Sequence, residues 1–459
     1  MERTHLGAPE IAICGSAERQ GRVAFVELYR QWPAYFLDSF MAVQAADVRE
    51  AGHETTWLKG FLLQDTERTL ADMEARLAAS APWDLLVFER LWSRDLLRRL
   101  WRAAGEPAVV VTPWAPPHDW TEVTHRIDPP SRQSLIGLVE ALINGRSSTD
   151  TNLFVRGDAG NWRPPAETQP LSIAEQFSPP VQFAYDLVES FGLGVEEVSR
   201  TRYLMLNMGC PYRTAANPSG FLDGLALPTP WGAAGCTFCN VGPYEAQSAT
   251  VRQELMHSQL EALSHHGPYD RLVVIDEFVF RDLDVLARAV IDHAPSGVEL
   301  LVRARVDYLT AYEANLTRAL ELLNEHGSLT PYLIGFENFS DAELRRYNKG
   351  VTGADALAAV HKLMTMSSEW PNLNLSPSQG FILFGPWTTL DDLEVNAEAL
   401  SQLDFRRLRG GLLRSKLRLN PDAALVARAR ADGLLLESHR RADEDNAAQT
   451  GYQAEIPYR

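Results

Sequence analysis

The feature that most limits what this chain can become is an alternation of short apolar runs with stretches of helical periodicity, present in two separate parts of the sequence. In residues 8–118 the segments Ile11–Cys14, Thr55–Leu58, Leu85–Phe88 and Ala108–Thr112 are short apolar runs, interrupted only by Thr55, Thr56 and Thr112. They lack the every-second-residue pattern of a half-exposed strand, which predicts buried parallel strands. Stretches at 37–51, 66–80 and 93–104 space apolar residues three and four apart and predict the intervening helices. A βαβ series of this kind predicts a doubly wound parallel sheet, with ligand held beyond the carboxyl ends of its strands.

The second series starts at Tyr203. Strands are expected at Tyr203–Asn207, Leu272–Ile275, Leu300–Arg303, Tyr332–Phe336, Gln379–Phe384 and Leu412–Leu419. Helices are expected near 246–264, 281–293, 309–326, 341–347, 353–365 and 390–402. Six βα units predict an incomplete barrel whose site lies at the carboxyl ends of the strands. Between the two series, helices near 133–144 and 181–191 flank the polar stretch RGDAGNWRPPAETQP, which reads as a linker. A chain of 459 residues accommodates two or three domains, and the expected divisions are 1–130, 131–200, 201–425 and 426–459.

A formal charge of -17 without any Lys/Arg run argues against nucleic acid as a partner, because a phosphate backbone is bound by clustered cations. No apolar run approaches the roughly 18 residues that span a bilayer. The start, MERTHLGAPEIAICG, lacks the basic-then-apolar plan of a signal peptide, so a cytoplasmic location without a membrane partner is expected.

Of the four cysteines, Cys210 follows an apolar strand in NMGCPYR, and Cys236 and Cys239 form GCTFC after 25 intervening residues, 211–235. In a reducing compartment such crowding favours metal or redox chemistry over disulfides. Buried core cysteines and a structural zinc site remain open on the residues alone. Zinc would need a fourth ligand, and His257, His265 and His266 lie on or after the next helix. Three thiolates on a 4Fe–4S cube leave one iron open for chemistry.

GCPYR…GCTFC, with Phe238 just before the last cysteine, resembles the cysteine motif of the radical S-adenosylmethionine (SAM) superfamily. The branch it is most similar to carries an N-terminal cobalamin-binding domain. That family places three residues between its first two cysteines, where this chain has the insertion PYRTAANPSGFLDGLALPTPWGAAG. Further resemblances follow in order: LVVIDEFVF, VRARVDYL, LIGFENFSDAELRRYNKGVT, GFILFGPWTTLDDLEVN and LRLNPDAALVARARADGL. The resemblance implies that Cys210, Cys236 and Cys239 hold a 4Fe–4S cluster. It also implies that Phe238, Asp276, Glu277, Arg305 and Glu337 contact SAM, with Lys349 in the following turn. The ordinary readings of these side chains are an interior salt bridge for Arg305 and Glu337, and a helix cap or first-turn acid for Asp276 and Glu277.

MAVQAADVREAGHETTWL is similar to the first helix and second strand of the family's cobalamin domain. No DxHxxG or VxGEGE motif occurs; His5, His53 and His118 do not fit an axial ligand, and a Rossmann-like domain without corrin stays open. If corrin binds, residues 15–20, 60–65, 89–93 and 113–118, with Trp92 and Trp114, are expected to line it. The implied fold is an N-terminal Rossmann-like domain followed by a partial (β/α)6 TIM-type barrel. The implied activity is methylation of an unactivated carbon in a small natural-product intermediate or peptide, through a 5′-deoxyadenosyl radical and methylcobalamin. Rearrangement, cyclisation or oxidation without methyl transfer is the alternative, and a non-catalytic metal-binding protein a third. A reductant such as flavodoxin or ferredoxin is the implied electron donor. Tyr212, Phe221, Leu225 and Trp231 make the insertion a candidate wall of the substrate pocket.

Overall fold

A computed structural model describes residues 19–29, 37–62, 65–89, 93–112, 119–128, 131–145, 152–157, 160–165, 168, 172–177, 179–192, 200–216, 220–227, 234–239, 241–376, 379–403, 415–420, 423–436 and 458. The chain is mixed α/β, with its strands mostly in parallel sheets.

The first sheet grows outward from β1 (Arg22–Tyr29), whose neighbours β2 (Glu54–Phe61) and β3 (Leu85–Phe88) both run parallel to it. β4 (Ala108–Val111) follows β3, so the order across the middle of the sheet is 4-3-1-2 and winding reverses between β1 and β3. Side chains alternate across it. Val23 and Phe25 join a core with Met41 and Ala45 of α1 (Leu37–Glu50). Ala24, Val26 and Leu28 pack against Leu70 and Met73 of α2 (Thr66–Ala79) and Leu97 of α3 (Arg94–Ala103). A strand that is buried on both faces needs no polar alternation. Asp65 and Ser93 start α2 and α3 by accepting from the backbone amides of Arg68 and Leu96, which supplies acceptors for otherwise unpaired first-turn donors.

The strand expected at Ile11–Cys14 lies outside the described residues, and sequence reading passed over β1. The helix expected at 181–191 is instead a short turn followed by β8 (Val188–Phe191), which pairs with β2 at the sheet edge. Tertiary packing overrides the helical spacing here: Tyr185 stacks on Trp57 and Phe183 at 5.8 and 5.7 Å. The remaining linker residues are also structured. β5 (His125–Ile127), β6 (Leu153–Arg156) and β7 (Trp162–Arg163) extend the opposite edge, β6 and β7 antiparallel, beside α4 (Arg132–Ile143) and α5 (Ile173–Phe177).

The second sheet contains β9 (Thr201–Met205), β10 (Arg271–Ile275), β11 (Val298–Val302) and β12 (Gly327–Pro331), in spatial order and all parallel. Between them run α6 (Ala249–Ser264), α7 (Leu283–His293), α8 (Val306–Ala311) and α9 (Glu313–Leu323). The single helix expected at 309–326 is thus two, parted at Tyr312. The strand expected at Tyr332–Phe336 is also divided. β12 ends at Pro331, Leu333 takes a left-handed φ of 50°, and β13 (Gly335–Glu337) pairs instead with β14 (Gly380–Phe381). Isolated parallel bridges Arg305–Gly335 and Phe384–Lys416 continue the series; Leu412 lies outside the described residues. Helices α10 (Asp341–Arg346), α11 (Gly353–Glu369), α12 (Leu390–Ser401) and α13 (Ala424–Ala431) complete it. Thr352 and Thr389 begin α11 and α12 with reciprocal capping boxes to Asp355 and Asp392.

One apolar core passes from the α1 face of the first sheet into the second, and Ser39 Oγ of α1 donates to the Tyr203 carbonyl of β9 at 3.2 Å. No helix among the described residues is long and apolar enough to cross a membrane.

Candidate functional site

Beyond the carboxyl end of β9 the backbone is fixed almost atom by atom. The amides of Leu206 and Asn207 both donate to the Ile275 carbonyl, at 3.1 and 3.0 Å. Asn207 Oδ1 accepts from the Gly209 amide at 2.9 Å, and its Nδ2 donates to the Glu245 carbonyl at 2.8 Å. Cys210 then forms a parallel bridge with Pro243: its amide donates to the Gly242 carbonyl, and its own carbonyl accepts from the Tyr244 amide. Gly209 permits this approach, because a Cβ there would stand 2.0 Å from the Pro243 carbonyl oxygen. Cys210 is therefore stitched to the segment that leaves Cys239.

The insertion between the cysteines closes at its base. Ala215 and Ala234 form an antiparallel bridge, and the Gly235 amide donates to the Thr214 carbonyl at 2.8 Å. Asn348 Nδ2 reaches the carbonyls of Thr214, Ala215 and Gly235 at 3.1, 3.0 and 2.8 Å. One side chain thus pins both legs of the loop immediately before Cys236. The loop's Phe221, Leu222 and Leu225 pack with Tyr347, Leu417 and Leu425. Phe221 also meets Trp387 edge-on at 5.2 Å. These residues serve a core with α13, and Trp231 lies outside the described residues.

The three cysteines are free and partly buried. Burial pushes the Cys239 thiol up to about 12, with the Cys236 charge acting in the same direction and a hydrogen bond from the Val241 amide opposing it. Burial likewise raises Cys210, which senses Cys236 and Arg305. Burial thus opposes ionisation of Cys210 and Cys239, whereas coordination to a metal deprotonates a thiol outright. Among the described residues no three His, Cys, Asp or Glu side chains are set to hold a single metal ion. A cube with one open iron takes three thiolates, and the three cysteines match that donor set in number and kind. Cys14 is outside the described residues.

Around the cysteines stands a polar rim. Arg305, just before α8, is nearly saturated. Its Nε and Nη2 hold Asp307 at 3.0 and 3.3 Å, Nη2 also donates to the Lys349 carbonyl at 2.6 Å, and Nη1 points at Cys236 Sγ from 3.5 Å. The guanidinium lies 3.8 Å from the centre of the Tyr212 ring. Glu337, with a left-handed φ of 63°, is paired with Lys349 Nζ at 3.0 Å. The pair crosses Gly335, where a Cβ would come within 2.6 Å of the carboxylate and 2.7 Å of the ammonium. Glu337 therefore makes an interior ion pair, whereas buried Arg305 pairs with the half-exposed Asp307. Glu277 pairs with Arg303 at 2.9 Å and is near enough for its charge to act on Cys210 and Cys239.

Asp276 sits deeper. It accepts from the Phe278 amide at 2.7 Å and faces the Tyr244 hydroxyl at 3.5 Å. Burial raises its pKa to about 7, against the opposing amide hydrogen bond and with the Glu277 charge adding. Phe238 turns its ring toward Tyr347, edge-on at 5.6 Å, within the apolar cluster that holds α13. Sequence reading missed Asn348 and Gly209, and it assigned Tyr212 to a substrate pocket where the structure stacks it on Arg305. The available signal was the NKG turn, in which Asn348 takes a left-handed φ of 49° and a Cβ on Gly350 would strike the Tyr212 hydroxyl.

No protein-family model and no curated protein matches the sequence. A solved structure does: the radical S-adenosylmethionine methyltransferase TsrM from Kitasatospora setae, with cobalamin and a 4Fe–4S cluster bound. The TM-score is 0.56 at 14% identity, over 83% of this chain and 73% of that chain. Two chains this different in sequence thus share a fold.

Proposed function

We propose that this chain is a radical SAM enzyme that uses cobalamin to methylate an unactivated carbon of a small natural-product intermediate or peptide. In place of divisions at 130 and 425 we place a Rossmann-like cobalamin domain over 1–200, because β6, β7 and β8 belong to its sheet, and a partial barrel over 201–436, because α13 spans residue 425. The observation that carries the reading is the closure of the 25-residue insertion, which returns Cys210 to the neighbourhood of Cys236 and Cys239. The fold shared with TsrM supports it.

Cys210, Cys236 and Cys239 would hold the cluster. Bound SAM and an electron from the cluster, supplied by a flavodoxin- or ferredoxin-type donor, would give the 5′-deoxyadenosyl radical that removes a hydrogen atom from substrate. Asp276 offers a buried carboxylate to the SAM ammonium, and pairing with that cation offsets the cost of ionising it. Glu277, Arg305 and Glu337 would contact SAM beside it, and Phe238 would close the apolar side of the site. Arg305 reaches SAM only from the rim, since most of its donors are already committed.

The test is anaerobic reconstitution with iron, sulfide and hydroxocobalamin, followed by assay for two products with SAM and reductant. 5′-Deoxyadenosine together with S-adenosylhomocysteine supports methyl transfer. 5′-Deoxyadenosine alone moves the enzyme to rearrangement, cyclisation or oxidation. Neither product from a cluster-loaded protein contradicts the enzyme reading.

A further inference from the structure

At the carboxyl end of the first sheet, four polar side chains lie on one rung across four adjacent parallel strands. β1 and β2 pair Glu27 with Lys59 directly. Val26 pairs with Phe88 and Phe88 with Val111, so one residue further Glu89 stands beside Glu27 and Thr112 beside Glu89. The Thr112 amide donates to the Phe88 carbonyl at 3.0 Å, which carries the ladder to that point. The rung therefore reads Lys59–Glu27–Glu89–Thr112 and crosses the place between β1 and β3 where winding reverses. The preceding rung on the same face, Trp57–Phe25–Val87–Val110, is wholly apolar and fully buried.

All four polar residues are more than nine-tenths buried. For Glu27 and Thr112 the contacts within the rung leave an acceptor open. Glu27 Oε2 accepts from Trp57 Nε1 at 2.8 Å and meets Lys59 Nζ at 3.4 Å, and the ammonium lies 4.2 Å from the Trp57 ring centre. Glu27 also interacts with Glu89 and Tyr29, yet its Oε1, like Thr112 Oγ1, is buried without a well-formed hydrogen bond among the described residues. A buried acceptor without a donor costs about 1–3 kcal/mol and is uncommon in native proteins. Here two occur on one rung, at the switch point where open α/β sheets hold their ligands. A structural Lys–Glu pair would explain neither the orphaned carboxylate oxygen nor the threonine.

We propose that this rung is a subsite for N–H donors of the ligand seated on the sheet edge, namely the peripheral carboxamide arms of the corrin, with Glu27 and Thr112 as acceptors. The inference rests on the cobalamin reading above. A carboxamide N–H supplies the missing donor, and Lys59 holds the accepting carboxylate ionised. The same pocket would reject an arm ending in carboxylate, because like charges would then meet in a dry place.

The test uses the full, cluster-loaded chain under anaerobic conditions, with corrin binding measured by equilibrium dialysis at the corrin absorbance. Thr112→Val removes only an orphaned oxygen, so it should fold like the parent yet bind hydroxocobalamin about three- to tenfold more weakly, and Glu27→Gln about tenfold more weakly. Circular dichroism and iron content should match the parent in both. Among cobalamins with one carboxamide hydrolysed to carboxylate, at least one should bind the parent at least about tenfold more weakly, with Glu27→Gln recovering part of the loss. Parental affinity in both variants would overturn the subsite and leave the cobalamin reading intact. No hydroxocobalamin binding by the parent protein would overturn that reading, and the subsite with it.

Discussion

The two sheets present polar groups at their carboxyl ends by different means. On the second sheet they come from loops: Cys210, Cys236, Cys239 and Lys349 are placed by backbone bridges, one asparagine and glycines that allow close approach. On the first sheet they come from the strands, where register alone aligns Lys59, Glu27 and Glu89. A loop-built site can be lost through one anchor while the sheet beneath it survives. A register-built site is lost only with the sheet, but its chemistry can be altered one side chain at a time.

The largest expected effect tests how far the loop-built site depends on its ion pair. Lys349→Met leaves Glu337 buried beside Gly335 without its cation, which should destabilise the protein by about 3–5 kcal/mol in denaturant titration. Adding Glu337→Gln should recover a substantial part of that loss; no recovery would show that Lys349 acts through something other than the pair. Gly209→Ala comes next, at about 3 kcal/mol, because a Cβ 2.0 Å from the Pro243 oxygen forces Cys210 away from its bridge. Iron uptake should fall while far-ultraviolet circular dichroism stays close to the parent, and full iron loading would show that the bridge is dispensable. Asn348→Ala should cost about 2 kcal/mol and also lower iron uptake, since three carbonyls lose their shared donor.

The smallest effect is pH-dependent. Burial raises Asp276 to about 7, above an unfolded value near 3.9. Its protonated form therefore favours folding; that contribution is complete below the unfolded value and is lost as pH rises toward 7. Asp276→Asn should accordingly gain stability relative to the parent between pH 4 and pH 8, by roughly 1–2 kcal/mol after relaxation around the buried group. SAM should bind the parent more tightly at pH 8 than at pH 6, and the variant should lose that slope. A parent with no slope would remove Asp276 from the SAM ammonium.

The contrast between the two ends also explains what sequence could tell. Helices α2, α3, α11 and α12 were legible because each has an apolar stripe and a capping residue at its start. The strands β3, β4 and β10 were legible as apolar runs, whereas β1 carries Glu27 and β12 carries Ser328 and Thr330, polar residues that conceal a buried strand. The cysteines, Asp276, Arg305 and Glu337 could be found because they lie in short motifs. The anchoring of the insertion by Asn348, 113 residues after Gly235, could not, since nothing local links them. The polar rung was equally hidden: its members are separated by whole βα units and meet only through register.

The central claim is that closure of the insertion makes Cys210 equivalent to the cysteines of GCTFC. Iron and sulfide per chain, measured after identical anaerobic reconstitution of Cys210→Ala, Cys236→Ala, Cys239→Ala and Cys14→Ala, test it most directly. The first three should lose the cluster to the same extent and make no 5′-deoxyadenosine, while Cys14→Ala keeps a full complement. A Cys210→Ala protein that retains its iron and still forms 5′-deoxyadenosine would contradict the account.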